Sequence, residues 1–285
     1  MRPFEKKEGF LRGVSVAKGS VLYISAHLDD GHEARRMYRP WLDPPPDYDL
    51  NRLIETTGEW AREFFCKRIV DAGSEDRAYP ADPNGLSAIV VGGSLLFWSA
   101  ARGPLDGWQE ELIAFVRKAI LDWGLGYLGL CAGAQIGLRA LGGTVMPNPP
   151  TMELNDLTLA GDVVVRTAEL VLTEEGIRDP VFAGCPPRFA VHESHGDYLA
   201  ELPDDVVVLA ESSDVPHQAL AWYERVRLFQ PHPELSLSFM RRVLHMRARG
   251  ATSHAEAERL QRLSASLRET RVANERIVVN FLRLL

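Results

Sequence analysis

A short apolar run, Tyr127-Leu-Gly-Leu130, meets Cys131 and passes without a spacer into Ala132 to Leu141, where small and apolar residues alternate as in a packed helix. A buried strand that turns into a helix across one residue is the junction expected of a parallel sheet with helices on its faces. The same junction defines a chemical position. Glycines on either side, in Gly129-Leu-Cys131-Ala-Gly133, permit a tight turn and close packing, and the turn exposes the cysteine side chain where the helix N-terminus favours negative charge. Backbone N–H groups near Cys131, that of Ala132 among them, are placed to stabilise the oxyanion of an acyl-transfer intermediate.

Other segments fit an α/β frame. Val21 to Ser25 reads as a first buried strand, Cys66 to Val70 as a second and Leu86 to Val91 as a third that ends in Gly92-Gly93. That glycine pair offers a second oxyanion donor on the same sheet edge. Helical spacing is predicted for Leu53 to Phe65, for Trp108 to Leu121 and for Ala132 to Leu141, with Gly73 to Gly85 as a loop. Pro40, Pro44, Pro45 and Pro46 forbid regular structure, so about 39–49 is a rigid surface insertion. Strands are then expected at Val163 to Val165, Leu170 to Leu172, Phe189 to His192, Val206 to Ala210, Gln218 to Trp222 and Val226 to Phe229. From Leu235 two helices are expected, split near Gly250, the second running from Ser253 to Leu285. Its charged residues form a solvated face, and its apolar stripe through Leu260, Leu263, Leu267, Ile277 and Phe281 needs cover from the chain's own domain or from a homodimer contact.

Histidine and a carboxylate complete the chemistry. His232 and Glu234, in Phe229-Gln-Pro-His232-Pro-Glu234, follow a β-rich run whose end presents the imidazole to the nucleophile while Glu234 orients it. Cysteine, histidine and carboxylate in these roles form and hydrolyse a thioester, with histidine passing a proton to the leaving amine.

These residues resemble the class I glutamine amidotransferases. Gly-Leu-Cys131-Ala-Gly-Ala-Gln135 is similar to that family's GxCxGxQ elbow, His232-Pro-Glu234 to its His-Pro-Glu terminus, Ile-Val-Val-Gly92-Gly93-Ser to its oxyanion strand and Leu141-Gly-Gly-Thr-Val145 to the segment after its nucleophile helix. Ser194-His195-Gly196-Asp197 is similar to a loop of the glutaminase domain of GMP synthase. Ser94 stands where the family usually has proline, and Pro231 where it usually has an aromatic; both alter pocket shape and neither removes a catalytic side chain. The resemblance implies Cys131 as nucleophile, His232 as general base and acid, Glu234 as orienting carboxylate, Gly93 and Ala132 as oxyanion donors, and Gly92, Gln135, Ser194 and His195 around the substrate. It implies a flavodoxin-like α/β fold, an open, mixed, mainly parallel sheet flanked by helices, over 1–235, with a helical extension over 236–285.

The reaction implied is hydrolysis of the glutamine side-chain amide, with ammonia supplied to a separate synthetase, since no ATP-pyrophosphatase P-loop is visible in the sequence. A γ-glutamyl hydrolase or transferase acting on a γ-glutamyl amine or peptide is the alternative, and a non-catalytic protein on the same fold is a third reading. No cofactor or metal is expected. One rival motif exists: Ser25-Ala-His27-Leu-Asp29-Asp30 resembles the AHxDD zinc motif of PIG-L type de-N-acetylases, but Leu28 replaces its proline, and the segment reads as a polar loop after strand one. The three cysteines, Cys66, Cys131 and Cys185, lack the spacing of a zinc site and the density of a disulfide scaffold, which suits a reducing cytoplasm; Cys66 and Cys185 read as small hydrophobes. A net charge of -7 without a basic stripe argues against nucleic acid. No window approaches the roughly 20 apolar residues of a membrane span, and the start of the chain lacks the apolar core of a signal peptide.

Overall fold

A computed structural model describes residues 20–28, 65–73, 77–94, 96–148, 163–235 and 237–285. The Pro-rich stretch, the helix expected from Leu53 and Asp29 and Asp30 of the rival motif lie outside them.

Nine strands form one sheet in the order β2-β1-β3-β4-β11-β10-β9-β6-β7. Its first half, β2 (Phe65–Gly73), β1 (Ser20–Leu28), β3 (Leu86–Val91), β4 (Gly126–Leu130) and β11 (Val226–Phe229), is parallel throughout. The second half, β10 (Ala219–Trp222), β9 (Val206–Glu211), β6 (Val164–Leu172) and β7 (Arg188–His195), continues antiparallel from β11. The sheet is thus mixed, with parallel and antiparallel halves of equal pairing.

Near-continuous apolar runs in β1, β3 and β4 follow from burial on both faces. Leu22, Ile24, Ile89, Val91 and Tyr127 point to one side, where helix α1 (Gly107–Leu121) contributes Leu112, Phe115 and Val116, and helix α2 (Ala132–Ala140) contributes Ile136 and Leu138. Val21, Ala88, Val90, Leu128 and Leu130 point to the other, against Ile277, Val278, Phe281 and Leu282 of the last helix. This alternation is the period-2 geometry of a strand read on both faces.

Four local expectations need correction. The two strands expected around Val163 and Leu170 are one, β6, because the polar Arg166 in its middle is satisfied by Glu193 and Asp214 rather than by a turn. A two-stranded antiparallel sheet of β5 (Thr144–Pro147) and β8 (Asp197–Glu201) was not foreseen; β5 buries Val145 alone, too little for a periodic signal. Ser194-His195-Gly196-Asp197 is not a loop but the end of β7 and the start of β8, parted by Gly196. The long final helix is two. After α3 (Glu174–Arg178), the chain ends in α4 (Leu237–Arg249), α5 (His254–Ser266) and α6 (Arg271–Arg283).

The break between α5 and α6 has a physical cause. Leu267 leaves the helix with ψ 139° and is buried, and the Arg268 N–H donates to Thr167 Oγ1 at 3.0 Å on β6. Leu260 and Leu267 therefore pack with Val163, Val165, Met240 and Leu244, whereas Ile277 and Phe281 enter the core under the sheet. The apolar stripe of the C-terminal segment is covered by its own chain. Among the described residues no helix is long and apolar enough to cross a membrane.

Candidate active site

Parallel pairing brings the site together. Leu130 of β4 lies opposite Phe229 of β11, and Gly129 opposite Val91 of β3. The residues that follow these strands, Cys131, Gln230 to Glu234 and Gly92-Gly93, therefore emerge side by side at the carboxyl edge of the sheet, where open α/β sheets place their ligands.

Cys131 caps α2 with φ 52° and ψ -107°, a conformation that costs about 1–3 kcal/mol for a residue with a side chain. Three hydrogen bonds hold it there: its N–H donates to Phe229 O at 2.7 Å, and its carbonyl accepts from Ala134 N at 2.9 Å and Gln135 N at 3.1 Å. Gly133 N–H donates to Gly92 O at 3.1 Å, which ties the first turn of α2 to the end of β3. The approach is so close that a Cβ on Gly133 would lie 2.0 Å from Val91 O, and one on Gly129 2.5 Å from Gly133 O. These two positions require glycine.

His232 arrives from beyond β11 and is fixed by its backbone, whose N–H donates to His192 O at 2.8 Å in an isolated antiparallel bridge. Its Nδ1 lies 2.6 Å from Glu234 Oε1. A carboxylate oxygen accepts, so Nδ1 carries a proton and Nε2 is the nitrogen left for chemistry. Burial disfavours the charged imidazolium, but the Glu234 carboxylate and then the Cys131 sulfur outweigh it and hold His232 well above the ordinary histidine range. Gly93 seals this arrangement: a Cβ there would sit 2.9 Å from His232 Cε1.

A cleft opens beside the sulfur, lined by Ser94, Leu96, Phe97, Cys131, Ala132 and Gln135 on one side and by Val163, Ser194 to Asp197 and Arg247 on the other. The enclosed part of the cleft is small, about 40 Å³. Ser194 reaches the sulfur through its backbone, its carbonyl oxygen 3.6 Å from Cys131 Sγ. Gln135 is buried, its Nε2 donating to Asp197 O at 2.9 Å and to Gln230 Oε1 at 3.3 Å.

His195 is fixed more tightly. Its Nδ1 lies 3.0 Å from Asp197 O and 3.0 Å from Asn148 Oδ1, while Asn148 Nδ2 donates to the His195 carbonyl at 2.7 Å. Both partners of Nδ1 are acceptors, so Nδ1 bears the hydrogen and Nε2 is a bare lone pair. Burial, followed by the charges of Arg166 and His232, lowers its pKa to about 3, so the ring is neutral. Nε2 has no partner among the described residues.

Three residues of the site have no role assigned from the sequence: Gln230 and Asp197 stand within the motifs around His232 and His195, and Arg247 lies outside them. Gln230, one step past β11, places Nε2 4.0 Å from Cys131 Sγ. Asp197 accepts from Trp98 N at 2.7 Å, Ser99 N at 2.9 Å and Arg102 Nε at 2.6 Å, so its carboxylate holds the segment after β3 that sets Phe97 in the cleft. Arg247 comes from the last turn of α4, more than a hundred residues beyond the nucleophile. Behind the wall, Glu193 between His192 and Ser194 is paired with Arg166 at 2.6 Å and with Gln218, and Arg166 forks onto Asp214 at 2.6 and 2.7 Å, which anchors the end of β7. Among the described residues no cluster of three or more His, Cys, Asp or Glu side chains is placed to hold a metal ion.

Comparison with known proteins agrees with this geometry. Glutamine-hydrolyzing GMP synthases are similar to it: that of Thermomicrobium roseum is 30% identical over 193 residues, 67% of this chain and 32% of that protein, and that of Streptococcus mutans serotype c is 30% identical over 192 residues, 66% and 34%. The chain spans about a third of the length of these relatives. Among solved structures, a glutamine amido transferase from Methylobacillus Flagellatus superposes with TM-score 0.60 at 14% identity, covering 94% of this chain and 95% of that one. A glutamine amidotransferase from Thermotoga maritima superposes with TM-score 0.56 at 14% identity, covering 93% and 98%; at such identities the likeness speaks for the fold alone. The family model for glutamine amidotransferase class-I matches residues 102–247, just over half of the chain and the stretch that holds the elbow, the strand-end histidine and the carboxylate, so the chain belongs to the class I glutamine amidotransferase family.

Proposed function

We propose that this chain is a glutaminase that hydrolyses the side-chain amide of glutamine through a thioester on Cys131 and supplies the ammonia to a synthetase activity outside these 285 residues. One observation carries the reading: a buried imidazole held at 2.6 Å by Glu234 follows the strand paired with the one that ends at Cys131, and Glu234 and Cys131 together favour its charged form. The thiolate attacks the γ-carbonyl carbon, and the oxyanion is met by the N–H groups of Gly93 and Ala132. As the C–N bond breaks, His232 gives its Nε2 proton to the leaving nitrogen and ammonia departs. His232, now neutral, takes a proton from water; the hydroxide adds to the thioester carbon, the C–S bond breaks, and glutamate leaves with the thiolate restored. Glu234 keeps the Nδ1 proton in place through both steps. In the cleft, the bare Nε2 of His195 accepts from the α-ammonium of the substrate, with Gln135 and Ser194 in the wall around it.

Purified protein is tested with glutamine and with several γ-glutamyl amines, ammonia and glutamate being measured, and by mass after exposure to an electrophilic glutamine analogue. Glutamine turnover and one adduct are expected, both absent in Cys131→Ala, and Glu234→Gln is expected to lower kcat on the order of 10²- to 10⁴-fold. The absence of both turnover and adduct in the wild type refutes the enzymatic reading, and turnover of γ-glutamyl amines without turnover of glutamine refutes the glutaminase in favour of a γ-glutamyl hydrolase.

A further inference from the structure

We propose that Thr167 is a positioning residue for His232: it ties the break between α5 and α6 to His192, whose carbonyl holds the backbone of the catalytic histidine. This rests on the reading above that His232 serves Cys131 as base and acid.

The need for such a tie follows from the sheet. Three strands, β10, β9 and β6, separate β11 from β7. Yet His232, three residues past the end of β11, donates its backbone N–H to His192 O on β7 at 2.8 Å. The sheet therefore curls until its last strand meets the residues that follow its middle one. Among the described residues β7 pairs along its length with β6 alone, so the bridge holds His232 only as firmly as His192 is itself held.

The C-terminal helices supply that hold. Leu235, next after Glu234, is buried with Val163 and Val165 at the start of β6 and with Met240, Leu244, Leu260 and Leu267. One apolar cluster thus joins the end of the His232 to Glu234 segment, β6 and the helices. Just beyond Leu267, the Arg268 N–H donates to Thr167 Oγ1 at 3.0 Å. Thr167 stands opposite His192 in the register of β6 with β7, and its hydroxyl lies 3.3 Å from His192 Nδ1. The His192 ring is fully buried, and its Nε2 has no partner among the described residues. The Thr167 hydroxyl therefore supplies the hydrogen bond that orients this ring. A buried ring that loses such a bond shifts to recover another, and the carbonyl that holds His232 shifts with it.

Thr167→Val, Thr167→Ser and Thr173→Val are compared with wild type. Valine keeps the β-branched shape and removes only the hydroxyl. Thr173, whose hydroxyl caps α3 outside the cleft lining, is the control for stability alone. Glutamine hydrolysis, thermal melting and the rate of Cys131 alkylation by iodoacetamide, read at its own peptide, are measured on each. Thr167→Val is expected to lower kcat about 10-fold with KM within about twofold, the loss that a displacement of a fraction of an ångström at the base brings. Alkylation is expected to slow about threefold or more, since a displaced His232 stabilises the thiolate less. Thr167→Ser should restore both rates, and Thr173→Val should melt earlier with both unchanged. Arg268→Pro repeats the test from the other end by removing the N–H donor: Arg268 is exposed, and ψ 139° at Leu267 suits a residue before proline. It is expected to lower both rates in the same sense. Unchanged kcat and alkylation in Thr167→Val, rate losses equal to those in Thr173→Val, or failure of both Thr167→Val and Arg268→Pro to fold overturns this assignment. A wild type that neither hydrolyses glutamine nor takes an adduct of its electrophilic analogue overturns the proposed function, and the alkylation rates then decide this inference by themselves.

Discussion

Replacing Gly133 with alanine separates the geometry of the elbow from its stability. An added Cβ would lie 2.0 Å from Val91 O and 2.7 Å from Val91 C; reaching the 3.4 Å of ordinary contact requires the start of α2 to move about 1.4 Å from β3. That movement breaks the Gly133 N–H to Gly92 O bond and carries Cys131 away from His232. Overpacking costs about 1–3 kcal/mol and the lost hydrogen bond about 1, while alanine's helix preference returns about 1, a net loss near 2 kcal/mol. Against a typical stability of about 5–15 kcal/mol the variant stays folded. A misplacement of about 1 Å at reacting atoms nevertheless lowers turnover about 100-fold. Gly107→Ala, at the first position of α1, is the control, because an added Cβ there would meet nothing within 4 Å. Glutamine hydrolysis and thermal melting are measured on both. Wild-type turnover and melting in Gly133→Ala, or equal losses in the two variants, would refute the argument that backbone contact at this helix start sets the nucleophile.

Asp197→Asn is expected to lower stability by about 2 kcal/mol in denaturant titration, because it removes the charge of a buried carboxylate that accepts from two backbone N–H groups and from the part-exposed Arg102; a loss under about 0.5 kcal/mol would show that this group does not hold the segment carrying Phe97. The pH dependence of stability follows from His192, whose pKa is lowered to about 4 by burial and then by the nearby charge of His232. Between its ordinary 6.5 and about 4 the unfolded chain binds a proton that the folded chain refuses, so stability falls as pH falls through that window. His232, raised, is protonated in both states there and adds no slope. In His192→Asn the slope should lessen by up to about 1.4 kcal/mol per pH unit, with His195 still contributing; equal slopes in wild type and variant would contradict a buried neutral His192.

What the sequence determined by itself was local and periodic. Continuous apolar runs in β1, β3 and β4 announced a sheet buried on both faces, and Gly129, Cys131 and Gly133 announced the turn, since only glycine tolerates those approaches. Cysteine, histidine and glutamate were legible because each follows a strand that the apolar pattern marks. The rest depended on partners remote in sequence. Arg166 looked like an interruption of β6 until Glu193 and Asp214 were seen to satisfy it, and β5 and β8 exist only because each completes the other. The final helix breaks at Leu267 because two different cores claim its halves, one beside Val163 and one beneath the sheet. Asp197 and Gln230 stand within local motifs and Arg247 outside them, but what each holds is set by contacts across the chain. Hydrophobic periodicity is written in neighbouring residues and can be read from them, whereas the pairing of a buried charge is a property of the folded chain, and the walls of this cleft, unlike its nucleophile, were decided there.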